Sequence, residues 1–182
     1  MTSTTPDEVL AFWFDTLTPK DWFRKSAKLD ARIHKEFGPT HAAASRGELH
    51  GWRAQPSGRL AEIIVLDQFS RNIHRDTPNA FAQDETALIL AQEAVLAGVD
   101  GKLDTQQRAF VYMPFMHSES AVIHEWALQL FSQPGLEDQL YFERKHKEII
   151  DRFGRYPHRN AALGRLSTAA ELAFLELPGS SF

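Results

Sequence analysis

The sequence contains no cysteine. This excludes disulfides, thiolate metal sites and cysteine nucleophiles, and it is compatible with a reducing compartment. Long apolar runs are also missing. The longest, such as residues 63–66 and 87–91, fall far short of the ~20 residues that cross a bilayer. Between Met1 and Leu17 there is no lysine or arginine, only the charges of Asp7, Glu8 and Asp15. The basic start of a secretory signal is therefore lacking, and the expected location is cytoplasmic. There is no Gly-x-x-x-x-Gly-Lys phosphate loop, no Gly-x-Gly-x-x-Gly, no Gly-x-Ser-x-Gly and no His-Glu-x-x-His. No cofactor is expected on these grounds. The eight histidines form no compact metal motif. A metal held by Asp67, His117, Glu119, His146 and His158 would need tertiary assembly, so none is expected.

What is present fits one helical domain spanning 1–182, with 177–182 expected to be a loose tail. The 43% hydrophobic content supports a sizeable core, and the 24% charged content argues against general disorder. A formal net charge of −4 gives no overall attraction for nucleic acid or an anionic membrane, so neither is expected as a partner.

Helix signals are frequent and agree with one another. Thr5-Pro6-Asp7-Glu8 reads as a capping box with proline at the first helical position. Thr18-Pro19 and Thr77-Pro78 repeat the Thr-Pro start, while Asp104 with Gln107 and Thr168 with Glu171 have the box spacing. Stops are expected at Gly38-Pro39, Gly98, Pro134-Gly135 and Gly154. Strict alternation never lasts beyond a few residues, so strands are not expected. Roughly eight or nine helices with short loops imply antiparallel neighbours packed in pairs.

The helix expected from about Leu60 to Arg75 has an unusual polar face. At ~100° per residue, Asp67, Arg71 and Arg75 form one row and Gln68 with Asn72 the next, while Val65, Leu66, Phe69 and Ile73 take the other side. A solvated face normally uses Lys and Glu; this one uses groups of fixed hydrogen-bonding geometry. Two arginines four apart suit a carboxylate or phosphate, because the guanidinium fork grips such groups with two bonds. The alternative is an internal network, Asp67 with Arg71, that ties helices together.

Three further segments could carry chemistry. Pro114 predicts a helix break that sets His117, Ser118 and Glu119 at a cavity edge, with Glu119 or Asp67 orienting His117 as an acid/base. The plainer reading has Ser118 or Ser120 capping the next helix. His146 falls on the apolar face of its helix with Phe142, Ile149 and Ile150, where a histidine is most often a bonded core residue. In Arg152–Asn160, Gly154 ends a helix and His158, Arg159 and Asn160 open a short one, whose start would favour anions. Arginines outnumber lysines by thirteen to seven, and five lie between Arg144 and Arg165. Arg155 and Arg159 could thus hold an anion or anchor the C-terminal helices.

At Leu66–Ile73, Tyr112-Met113-Pro114 with His117-Ser118-Glu119, His146 with Ile149-Ile150, and Arg152–Asn160, the sequence resembles the bacterial family called domain of unknown function 924. The likeness runs from about Val9 to Leu175. It departs at Ser70, where the family often has proline, and at Leu166 and Ala169. The resemblance implies a right-handed, tetratricopeptide-like superhelix of antiparallel hairpins and implies no reaction. Such arrays bind ligands on their concave face. The leading expectation is a binding module for a small anionic molecule or an acidic peptide or protein, held in a concave site lined by Gln68, Arg71, Asn72, Arg75, His146, Arg155, Arg159 and Asn160. The alternatives are an enzyme using His117 or His158 as acid/base on an anionic substrate, and a purely structural polar network.

Overall fold

A computed structural model describes residues 4–180 and is all-helical over them, without a strand. The N-terminal signals act as the local chemistry dictates. Glu8 accepts from the Thr5 backbone N–H at 2.7 Å and opens α1 (Pro6–Leu10), which continues as a wide-turned π segment, Ala11–Thr16. Asp21 does the same for Thr18 at 2.9 Å and opens α2 (Pro19–Trp22). Asp104 accepts from Gln107 N–H at 2.8 Å at the start of α7 (Thr105–Met116), and Glu171 from Thr168 N–H at 2.7 Å at the start of the last helix.

One expected stop is overturned. Helix α3 (Ala27–Ser45) runs straight through Gly38-Pro39. The residue before proline usually leaves the helical region because its Cβ meets the pyrrolidine ring. Gly38 has no Cβ, so that part of the clash is absent. Proline is tolerated again at Pro114 inside α7 (Thr105–Met116), and the break expected there falls after Met116, with His117 as the C-cap.

The helix expected over 60–75 starts earlier and is not uniform. Helix α4 (Pro56–Ile64) passes into a π segment, Val65–Phe69, and then into α5 (Ser70–Ile73). Single-turn π segments are uncommon and are frequent at functional sites. This rod is central: Leu60, Ile63, Ile64, Leu66 and Phe69 are fully buried. Gly58 is required near its start, because a Cβ there would lie 2.0 Å from the Trp52 carbonyl oxygen. The rod packs against α1, α3, α6 (Asp84–Leu96) and α7. An aromatic cluster of Phe12, Trp13, Phe37, Phe69 and Phe110 fills the space between them, with ring centroids 4.9–6.2 Å apart.

Beyond α7, α8 (Ala121–Phe131) packs on it, and α9 (Glu137–Phe153) packs on α8. Gly154, with φ 69°, ends α9 in the left-handed conformation that glycine adopts without steric cost. A 3₁₀ turn, Pro157–Arg159, and α10 (Ala169–Leu175) complete the chain. They form a second small core in which Ile149, Ile150 and Tyr156 meet Phe153 and Phe174. Of the tail, Ser180 donates to the Leu175 carbonyl at 3.0 Å, and residues 181 and 182 lie outside the described part.

Candidate functional site

The π segment places Asp67 at the centre of the molecule, with its side chain only 1% exposed. Its Oδ1 faces His117 Nδ1 at 2.7 Å and Arg71 Nη1 at 3.1 Å; its Oδ2 accepts from Gln68 Nε2 at 2.6 Å. Burial penalises the Asp67 carboxylate, but the His117 ring and the Arg71 guanidinium outweigh that and hold it well below the usual carboxylate range. Asp67 is therefore ionised and accepts. It follows that His117 Nδ1 carries the proton and donates, leaving the Nε2 lone pair free. Nε2 has no hydrogen-bond partner among the described residues, and the His117 side chain is 16% exposed. Burial, and then the neighbouring Arg71 cation, lower its affinity for a second proton.

Around this pair stand two arginines that share one carboxylate. Arg71 donates Nη1 to Asp84 Oδ1 at 2.8 Å and Nη2 to Oδ2 at 3.0 Å, and Nη1 also reaches the Asp67 carbonyl at 2.8 Å. Arg159 Nη1 approaches the same Asp84 Oδ2 at 3.1 Å, while Nη2 donates to the His117 carbonyl at 2.9 Å. The Arg159 guanidinium carbon lies 4.5 Å from the Tyr156 ring centroid and 4.7 Å from that of Phe81, within cation–π range. Arg159 is almost wholly buried, and its Nε has no partner.

The expected polar wall thus divides. Asp67, Gln68 and Arg71 face α6 and α7. Arg75 lies past the end of α5 and turns instead to α3, where it grips Asp30 at 2.6 and 2.7 Å; Asn72 donates to the same carboxylate at 2.8 Å. Glu119 does not orient His117. It accepts from Arg165 at 2.7 and 2.9 Å and from Tyr156 N–H at 2.8 Å, and so clamps the C-terminal turn. Arg155 is committed to Glu171 at 2.6 and 2.8 Å. Asn160 is buried between Ser167 and Arg165. These pairings brace α10 and the turn before it. The Ser120 side chain makes no cap to α8.

His146 and His158 do come near the centre. His146 donates Nδ1–H to the Phe142 carbonyl at 2.8 Å, and burial lowers its pKa to about 3, with His117, His124 and His158 adding to the shift. His158 is lowered to about 4 by burial and then by Arg159, with Arg71 and His117 contributing.

Two groups escaped the sequence reading. Asp84 reads in sequence as an ordinary acid in the first turn of a helix, favourable to its dipole. His124 and Glu143 form a pair buried to 0% at 2.6 Å, with His124 Nε2 also facing the Ser118 carbonyl at 2.8 Å and the Tyr156 hydroxyl at 3.2 Å. Burial raises the Glu143 pKa. The nineteen-residue separation of that pair carries no local signal. No three acid or histidine side chains among the described residues are grouped to hold a metal.

The model of the family described as bacterial protein of unknown function, DUF924, matches residues 9–179, and the chain belongs to that family. It is similar to the solved structure of a protein of unknown function from Agrobacterium tumefaciens, with 37% identity over 94% of this chain and 96% of that one and a TM-score of 0.89. Curated proteins gave no match. No helix of the described residues is long and apolar enough to cross a membrane.

Proposed function

We propose that Asp67, His117, Arg71 and Arg159 form an acid/base site acting on a small anionic molecule. The observation that carries this reading is the His117 ring: Nδ1 is held at 2.7 Å by a buried carboxylate, while Nε2 is unbonded on a partly exposed side chain. A buried acid that fixes the tautomer and leaves the outer nitrogen basic is the arrangement general-base catalysis needs. A lowered pKa keeps the ring neutral near pH 7, where it can accept a proton. Arg71 and Arg159 supply the positive charge that would hold the substrate anion. Arg75, Asn72, Arg155, Glu119 and Asn160 serve as bracing.

The same reading treats the fold as a tetratricopeptide-like, right-handed array. Its support is the packing of α6, α7, α8 and α9, each against its chain neighbour. A cytosolic setting suits a chain without cysteine. The test is incubation with pooled anionic metabolites, followed by NMR. Any turnover should vanish in His117→Gln and fall in Arg71→Gln. Turnover that survives His117→Gln would exclude His117 as the acid/base, and Nε2 found protonated at neutral pH would exclude the tautomer on which the assignment rests.

A further inference from the structure

We propose that the anion taken by this site is a carboxylate, and that Asp84 occupies its seat in the structure as an internal competitor. The inference rests on the acid/base reading above, because it assigns the substrate class of the same centre.

Asp84 lies in the manner of a bound ligand. Its two oxygens are gripped by the Arg71 fork at 2.8 and 3.0 Å, and Arg159 closes on Oδ2 at 3.1 Å. The partners come from 13 and 75 residues away in sequence, not from its own helix. Arg159 Nε is buried without a partner on the Nη2 edge of the guanidinium, the edge turned to the His117 carbonyl, so only an anion larger than the Asp84 carboxylate would reach it. An unmet buried donor costs ~1–3 kcal/mol.

Release of Asp84 exchanges its three bonds to Arg71 and Arg159 for those of the incoming carboxylate. Asp84 is the first residue of α6. A carboxylate turned outward there still faces the positive end of the helix dipole. Two surface grooves lie away from this centre, between α1 and α3 and between α3 and α5.

Charge selects the class. With Asp84 withdrawn, Arg71 and Arg159 give two positive charges, Asp67 one negative, and His117 none, since its proton affinity is lowered. One positive charge is left over. A single carboxylate neutralises it; a phosphate dianion would bury an extra negative charge beside Asp67, an arrangement that is strongly disfavoured.

Calorimetry with two probes, acetate and inorganic phosphate, tests this on the full chain and on Asp84→Asn. Removing the competitor should tighten acetate binding about tenfold, the gain expected if about a tenth of the protein has the seat free. Phosphate should bind more weakly than acetate to both proteins. Equal or weaker acetate binding by Asp84→Asn would overturn the competitor while leaving the site, provided Arg71→Gln abolishes binding. Tighter binding of phosphate would overturn the carboxylate class. Failure of both probes on both proteins would remove the anion site itself. If Asp84→Asn does not fold, the wild-type protein decides: acetate should shift the Asp84 carboxyl ¹³C resonance, and an unmoved resonance with acetate bound refutes displacement.

Discussion

Acid should destabilise this protein well before its carboxylates protonate, because burial keeps three histidines, His41, His146 and His158, neutral in the fold. His41 sits between α3 and α5, with Nε2 2.8 Å from the Ser70 hydroxyl and its ring 5.3 Å from that of His74. Burial lowers its pKa from 6.5 to about 4, with His74 and His34 adding to the effect. His146 is lowered from 6.5 to about 3 by burial, against the pull of the Phe142 carbonyl, with His117, His124 and His158 nearby. Below pH 6.5 the unfolded chain takes up these protons and the folded chain does not, so stability falls as the pH falls. The contribution is complete above about 6.5 and is lost progressively towards pH 4 for His41 and His158 and pH 3 for His146. At pH 5, 1.5 units below the unfolded value, each histidine costs about 2 kcal/mol, or about 6 kcal/mol together. Set against a total stability of roughly 5–15 kcal/mol, that loss is large. Glu143, whose pKa is raised by burial, works in the opposite direction and trims the loss. Urea unfolding followed by tryptophan fluorescence at about pH 7.5, 6.5 and 5 measures the change. His41→Gln should remove about a third of it while keeping a hydrogen bond to Ser70. Equal midpoints at pH 7.5 and 5, or an undiminished acid loss in His41→Gln, would refute the argument.

Two substitutions test the other assignments. Glu119→Gln breaks the forked bond to Arg165 and should lower stability by about 1.5–3 kcal/mol in urea titration. The His117 ring resonances should stay in place, since Asp67 and not Glu119 holds that ring; a large shift would contradict this. Gly58→Ala sets a methyl 2.0 Å from the Trp52 carbonyl oxygen, and because both sides are backbone the chain must move. A loss of at least about 1–3 kcal/mol is expected in thermal melts, and a neutral substitution would show that the approach at α4 is not tight.

Much of the local structure was legible because it depends on groups within a few residues of one another. Thr5 with Glu8, Thr168 with Glu171, and Gly154 behave as their spacing predicts. The oddity of Asp67, Gln68 and Arg71 was legible too, since fixed-geometry polar groups on a rod with apolar neighbours need partners. The passage of α3 through Pro39 runs against the rule that the residue before proline leaves the helix; Gly38 lacks the Cβ that adds to that clash, and α7 passes Pro114 even after Met113.

By itself, then, the sequence determined that the chain is helical, where several of its helices begin and end, and which polar residues needed partners. Tertiary structure alone decided which charge meets which. Asp67 joins His117 across 50 residues and Arg159 joins Asp84 across 75, whereas Glu119, two residues from His117, belongs to Arg165. Helical period and cap chemistry act over about one turn, so they fix the face a side chain occupies. The partner opposite that face is set by how the helices pack, and no spacing along the chain encodes it.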